Sequence, residues 1–178
     1  TREDVQRTAA AGFCFFTIDP SEQVENEADT MDAGTLEAAV RKQEAEGIYG
    51  GESLTGRYLG KRWSIGETDL EFDRESLLRA AVKYGRAVAH CERMAGYIEE
   101  ANPDRLFEIE VSVDETESPT SALEHLLCAL ELRWRGITVV SLAPRFIGEF
   151  EKGIDYKGDL ARFEESLKQH VAIAREMG

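Results

Sequence analysis

The stretch Leu106-Phe-Glu-Ile-Glu-Val-Ser-Val-Asp-Glu115 alternates apolar and polar residues without interruption. This alternation predicts a β-strand, because successive side chains of a strand point to opposite faces. The apolar face carries Phe107, Ile109, Val111 and Val113, and the polar face carries Glu108, Glu110, Ser112 and Asp114. Burying such a polar face is costly unless it meets water, a metal or a ligand. Two arrangements fit: a barrel strand whose polar face opens into a pocket at its carboxyl end, or an edge strand with a solvated face.

The segments around this strand predict alternating strands and helices. Buried strands are expected at residues 13–18 and 137–142, where apolar side chains follow one another. Helices are expected at residues 3–11, 34–47, 74–101 (capped by Asp73), 120–135 (capped by Thr120) and 160–177. This order predicts an α/β fold of parallel βα units joined by right-handed crossovers.

The connection between the first two strands is far longer than an ordinary crossover. We therefore predict one α/β domain over residues 1–178, with a partly helical insertion at residues 21–73. Residues 21–32 are expected to form an acidic loop, and in residues 48–68 a helix and a short strand both remain open. Three βα units are too few to close a barrel, so an incomplete barrel or a small open sheet is expected. Both ends cut into the repeating pattern, which predicts a fragment of a longer protein.

Composition narrows the range of partners. The chain has 178 residues and a net charge of −14, which disfavours nucleic acid and anionic membrane surfaces as partners. No segment is long and apolar enough to span a membrane, and no signal peptide is visible, so we expect a cytoplasmic location. The cysteines Cys14, Cys91 and Cys128 are odd in number and lie in predicted elements. They predict buried thiols in a reducing compartment.

Residues able to carry chemistry follow each predicted strand of the sheet. Asp19 ends the first strand, Asp114 and Glu115 end the second, and Arg145 ends the third. In α/β folds the functional site lies at the carboxyl ends of the strands, which predicts that these side chains converge. Glu110 shares the polar face of Asp114 and points into the same space. The alternative role for Asp19 is to form a turn before Pro20. The alternative for Asp114 and Glu115 is that they begin a solvated loop.

The loop after the third strand, residues 145–155, is rich in charged groups. Arg145 and Lys152 could hold an anionic substrate, and Glu149 or Asp155 could bind a metal. The alternative is a charged surface loop.

The three histidines and the charged residues of the long helix are expected to have structural roles. His90 is expected to pack within its helix, His125 to lie near a helix cap or the surface, and His170 to lie on the polar side of the last helix. The charges of the long helix are expected on a solvated face. These are Arg79, Lys83, Arg86, Glu92 and Arg93.

Three segments together resemble the tagaturonate epimerase family. They are residues 12–21 (GFCFFTIDPS), 111–120 (VSVDETESPT) and 140–156 (VSLAPRFIGEFEKGIDY). The resemblance implies a metal-dependent enzyme of hexuronate catabolism that interconverts tagaturonate and fructuronate, on a fold similar to a TIM barrel, (β/α)8. Family members are much longer than this chain. The resemblance therefore implies an Asp-His pair before Thr1 and a His-Ser-Gly-Ser-Asp segment after the last residue.

The resemblance also suggests roles for residues in this chain. Glu115 is the expected proton donor, with Asp114 as the alternative, and Arg145 is expected to hold the carboxylate of the sugar acid. A divalent metal is the expected cofactor. The remaining assignments are Asp19, Glu110 and His125 as substrate-binding residues, and Glu149, then Asp155, as metal ligands.

Two other functions remain open at this point. The chain could be a non-catalytic fragment whose acidic face binds cations or a basic partner protein. It could equally belong to another TIM-barrel sugar isomerase or aldolase. In each case the unpaired strand edges of a partial barrel predict self-association into a homo-oligomer.

Overall fold

Five strands and six α-helices form over residues 1–177, the part of the chain that this computed structural model describes. The strands are β1 (Phe15–Ile18), β2 (Arg62–Ile65), β3 (Thr68–Glu71), β4 (Glu108–Val113) and β5 (Ser141–Pro144). The helices are α1 (Arg2–Ala10), α2 (Ala33–Ala45), α3 (Leu54–Tyr58), α4 (Arg74–Ala101), α5 (Ala122–Trp134) and α6 (Leu160–Met177). Two 3₁₀ helices, Ser21–Gln23 and Asn26–Asp29, replace the expected acidic loop.

The main sheet is open and parallel, with the strand order β1-β4-β5. The predicted parallel βα arrangement is confirmed, and the three strands of the described residues do not by themselves close a barrel. The alternating strand β4 is central, so its interpretation as an edge strand is wrong. The two edges belong to β1 and β5, and association through them stays a prediction.

The third strand begins at Ser141 instead of residue 137, which corrects the prediction for residues 137–142. The reason lies at the end of α5. The backbone N–H of Gly136 donates to the Arg133 carbonyl and that of Ile137 donates to the Leu132 carbonyl, both at 3.0 Å. These bonds close the carboxyl end of the helix, so the chain cannot pair with β4 until Val140, whose N–H reaches the Ile109 carbonyl.

Helices cover only one face of the sheet. Side chains from α1, α4 and α5 pack against the apolar face in one core cluster, which includes Phe16, Ile18, Ile109, Val111, Val113, Val88 and Leu132. The opposite face is open, so Phe15 is 47% exposed and Phe13 is 61% exposed. The first strand therefore alternates instead of being buried as predicted, and Cys14 is exposed, contrary to expectation.

The segment at residues 21–73 packs on α4 as a second core cluster. Helix α2, helix α3 and the β2–β3 hairpin contribute Leu36, Val40, Leu54, Tyr58 and Ile65 to it. Both structures left open for residues 48–68 are present, since a helix and two short strands form there. The segment is also tied to α5 by charge, because Glu131 accepts from the Tyr58 hydroxyl at 2.7 Å and lies 3.0 Å from Arg57 Nη1.

Two helix starts bear on the cap predictions. Asp73 caps α4 as predicted, with its carboxylate accepting the Ser76 N–H at 2.8 Å. Helix α5 is capped by Ser121 instead of Thr120, in a capping box with Glu124. Thr120 is used elsewhere, since its hydroxyl accepts the Arg145 N–H at 3.0 Å.

Helix α4 is buried over most of its circumference, from Leu77 to Val88. The prediction of a solvated charged face is wrong at Lys83, which is completely buried. Within residues 1–177, no helix combines the length and apolarity needed to cross a membrane.

Gly85 on α4 allows the insertion to approach the helix closely. The Tyr49 hydroxyl lies 2.6 Å from Gln43 Oε1 and 2.9 Å from the Ala81 carbonyl, directly over Gly85. A methyl group at Gly85 would collide with that hydroxyl.

We expect Gly85→Ala to lower the free energy of unfolding by about 1–3 kcal/mol, measured by urea denaturation. The control is Gly96→Ala on the same helix, where nothing lies within 4 Å and a gain of about 0.5–1 kcal/mol is expected. Equal effects of the two substitutions would contradict this account.

Candidate functional site

The carboxyl ends of the three parallel strands bring most of the predicted site residues to one edge. Asp19, Asp114 and Arg145 directly follow β1, β4 and β5. The register pairs Ile18 with Val111 and Val113 with Pro144, so Asp19 lies level with Ser112 and Arg145 lies level with Asp114. The polar face of β4 thus ends in a row of charged groups from all three strands.

Local hydrogen bonds orient the acidic groups of this face. Glu110 is half-buried and accepts from the Thr17 hydroxyl at 3.1 Å, across β1 and β4. Asp114 is exposed and accepts from the Ser112 hydroxyl at 2.5 Å. Asp19 accepts from the backbone N–H of Ser21 at 3.0 Å, so it forms the turn that the alternative interpretation predicted. These carboxylates face solvent, and the described residues do not enclose them in a cavity.

Glu115 lies in the loop between β4 and α5 and is exposed. Its neighbour Thr116 is buried, and the Thr116 carbonyl accepts a hydrogen bond from Arg145 Nη1. The Thr120 N–H in turn donates to the Arg145 carbonyl at 2.9 Å. Arg145 therefore braces the loop that carries Glu115, in addition to lying beside Asp114. Its Nε and Nη2 atoms have no acceptor among residues 1–177 and remain available to an anion.

The predicted metal ligands lie in the loop after β5. Glu149 is exposed, and its backbone forms an isolated bridge with Lys157, with the Glu149 N–H 2.8 Å from the Lys157 carbonyl. Asp155 is exposed near the tip of the same loop. In the described part of the chain, no three His, Cys, Asp or Glu side chains cluster in a way that could hold a metal ion. These residues therefore do not amount to a complete metal site.

His125 lies on α5, in the first turns of the helix that follows the β4–α5 loop. It is buried, and its Nδ1 atom lies 2.8 Å from Nδ1 of His170 on α6. His125 therefore lies near the cap of α5 as expected, with its backbone N–H donating to the Ser121 carbonyl at 3.0 Å, but it is buried and not on the surface. The expectation of a polar-side His170 is wrong, because this residue is buried as well. His125 also lines a cleft of about 480 Å³ with residues 137–142 and the end of α6. That cleft does not include Asp19, Asp114 or Glu115.

The sequence did not predict an ion cluster that lies around the buried ammonium group of Lys83, beneath the β4–α5 loop. Lys83 Nζ lies 2.9 Å from both carboxylate oxygens of Asp29, 2.8 Å from Ser118 Oγ and 3.2 Å from Glu124 Oε1. The available signal was the position of Lys83 in the middle of an otherwise apolar run of α4, from Leu77 to Val88. A charge in such a run requires a buried partner.

Comparison with known proteins shows the family of this chain. A family model described as tagaturonate epimerase matches residues 1–178. This chain belongs to the tagaturonate epimerase family. A tagaturonate/fructuronate epimerase from Thermotoga maritima is 46% identical over 173 residues, which cover 97% of this chain and 34% of that protein. The resemblance inferred from the three sequence segments is confirmed.

Solved structures of the family share the same fold. The native crystal structure of fructuronate-tagaturonate epimerase UxaE from Cohnella laeviribosi superimposes with a TM-score of 0.88 at 35% identity, covering 100% of this chain and 36% of that one. A one-glycerol complex of the same enzyme gives the same score. The chain thus spans about a third of the length of the relatives it matches.

The two buried histidines should make stability depend on pH. Because their Nδ1 atoms face each other, at least one ring must be deprotonated at that atom. Burial lowers the pKa of His125 to about 3 and also lowers the pKa of His170. Both folded-state pKa values lie below the unfolded pKa of about 6.5. At pH values between the folded-state and unfolded pKa values, the unfolded chain therefore binds more protons than the folded chain. The contribution of the two neutral histidines to folding stability is complete above about pH 6.5 and is lost as the pH falls toward their folded-state pKa values.

We expect His125 to lower the free energy of unfolding by up to about 1.4 kcal/mol per pH unit as the pH falls from about 6.5 to 5, and the lowered pKa of His170 to add to this slope. Urea denaturation at several pH values measures this slope. The double variant His125→Leu/His170→Leu should flatten it, whereas the control His90→Gln, at a half-buried position on α4, should keep most of it. A parent protein with equal stability at both ends of that range would rule out this explanation.

Proposed function

We propose that the full-length protein containing this chain interconverts tagaturonate and fructuronate, and that this chain supplies part of the active site. The observation that carries the proposal is the family match along residues 1–178, combined with the convergence of Asp19, Asp114 and Arg145 at the carboxyl edge of the sheet. A TIM barrel in the full-length protein and a cytoplasmic location belong to the same proposal.

The chemistry defines what the site must do. The two sugar acids differ at a carbinol carbon β to the ketone, and simple enolisation does not reach that centre. Retro-aldol cleavage with re-addition can invert it, and so can transient oxidation of the carbinol by a hydride acceptor that returns the hydride to the opposite face. Both routes begin with loss of the proton from the carbinol oxygen and end with its return. A carboxyl group beside that oxygen therefore serves as a proton shuttle.

Glu115 is our candidate for the shuttle, with Asp114 as the alternative. Glu115 is exposed at the end of β4, within the loop that Arg145 braces. The free Nε and Nη2 edge of Arg145 is suited to the carboxylate of the substrate. Asp19 and Glu110 would bind hydroxyl groups along the same polar face. His125 is left out of this set, because it is buried and its Nδ1 atom faces that of His170.

A divalent metal would supply stabilisation of an alkoxide or enolate oxygen. The described residues do not form a complete ligand set, so we assign no step to the metal here. We propose that Glu149 contributes one carboxylate, with Asp155 as the second choice, and that the other ligands come from outside this chain.

The first test uses the full-length enzyme with fructuronate and a divalent metal, and follows the appearance of tagaturonate. We expect Glu115→Gln to lower kcat by about 100-fold or more, because the amide cannot carry the proton. The matched control is Glu117→Gln, an exposed carboxylate two residues along the same loop, which should keep the parent rate. Near-parent turnover by Glu115→Gln would remove its assignment. Turnover of a phosphorylated ketose but of no hexuronate would overturn the proposed substrate.

A second test measures metal content directly. We expect Glu149→Gln in the full-length enzyme to weaken metal affinity by about tenfold or more, read by isothermal titration or by metal analysis after dialysis. The control is Glu151→Gln in the same loop, whose carboxylate pairs with Lys157 at 2.8 Å on the surface. Equal metal affinity in the parent and in Glu149→Gln would exclude Glu149 as a ligand.

A further inference from the structure

The Lys83 cluster lies directly beneath the loop that carries the candidate proton shuttle. Lys83 is fully buried in the middle of α4, and its ammonium group contacts three separate segments. Asp29 belongs to the second 3₁₀ helix, Ser118 to the β4–α5 loop and Glu124 to the first turn of α5. One cation thus connects the insertion, the loop and the helix that follows the loop.

Ser118 links the ammonium group to the loop. Its hydroxyl lies 2.8 Å from Lys83 Nζ and donates to Asp29 Oδ2 at 2.6 Å. The Ser118 carbonyl in turn accepts from the Thr116 hydroxyl at 2.8 Å. Thr116 directly follows Glu115, so the chain of contacts from Lys83 ends one residue from the candidate shuttle.

The far end of the loop is fixed by the same cluster. One carboxylate oxygen of Glu124 lies 3.2 Å from Lys83 Nζ, and the other accepts the Ser121 N–H at 2.6 Å. Without the cation, the buried carboxylate of Glu124 and the partly exposed carboxylate of Asp29 would lie close together as like charges, which is unfavourable. Their separation would release both Ser118 and the cap of α5.

We propose that Lys83 is a positioning residue of the epimerase site, which holds residues 114–121 in the conformation that presents Glu115. This inference rests on the proposed function. Lys83 does not reach the polar face of the sheet, because its ammonium group is enclosed by Asp29, Ser118 and Glu124. It acts through the loop and not on the substrate.

The test compares Lys83→Met with the parent in the full-length enzyme. We expect kcat to fall by about 100-fold, since a displacement of about 1 Å at a catalytic group has this effect. KM should change much less, because Arg145 is anchored on β5. The pH dependence of kcat should keep its shape, because Glu115 is still present. Arg86→Met, which removes a half-exposed charge three residues along α4 that pairs with Glu46, is the control and should leave kcat unchanged.

A second pair of variants separates positioning from stability. The double variant Lys83→Met/Asp29→Asn removes one of the two neighbouring like charges, so it should regain unfolding stability without regaining kcat. Ser118→Ala keeps the Lys83–Asp29 ion pair and removes only the link to the loop, so it should lower kcat by about tenfold at parental stability. Recovery of kcat together with stability in the double variant would show a purely structural role and overturn the proposal.

Amide hydrogen exchange provides a readout that does not need activity. Residues 114–121 should exchange faster in Lys83→Met and in Ser118→Ala than in the parent, while α1 should exchange at the parental rate. If the parent fails to epimerise hexuronates, the proposed function fails and the exchange of this loop still tests Lys83. If Lys83→Met does not fold, the kcat and the loop exchange of Ser118→Ala test the inference instead. Parental kcat and parental loop exchange in that variant would overturn the inference.

Discussion

The burial of one ammonium group constrains much of this structure. Lys83 carries its charge into the interior of α4, where an uncompensated charge would cost several kcal/mol. Asp29 and Glu124 compensate it and lie within 3.2 Å of its Nζ atom. Because these partners come from different segments, the insertion, the β4–α5 loop and the start of α5 must meet at this point. The position of the candidate catalytic loop follows from that requirement.

The two faces of the sheet have different environments. Helices α1, α4 and α5 bury the apolar face, and this packing fixes the strands. The other face keeps Glu110 and Asp114 in contact with water, with Thr17 and Ser112 as hydrogen-bond donors. A carboxylate that stays solvated avoids the cost of burial and is accessible to a substrate or a metal. The polar half of the alternation in β4 is thus the half that we propose to be functional.

Several features of the site could be read from the chain order alone. Alternation identified β4, and the rule that parallel strands end at one edge brought Asp19, Asp114 and Arg145 together before any coordinates. Other features depended on partners distant in sequence. Lys83 looked like one more charge on a helix, and its ion pairs span 54 and 41 residues. His125 and His170 are 45 residues apart, and neither sequence neighbourhood indicated that the two rings would meet.

The sequence by itself determined the elements whose signals are local. These include the α/β class, the alternation of β4, the full extent of α4 and the family to which the chain belongs. Periodicity, caps and motifs are properties of neighbouring residues, so they survive without tertiary contacts. Only the tertiary structure decided the central position of β4 and the burial of Lys83, His125 and His170. Each of these depends on which surfaces meet, and a side chain's exposure is set by its neighbours in space.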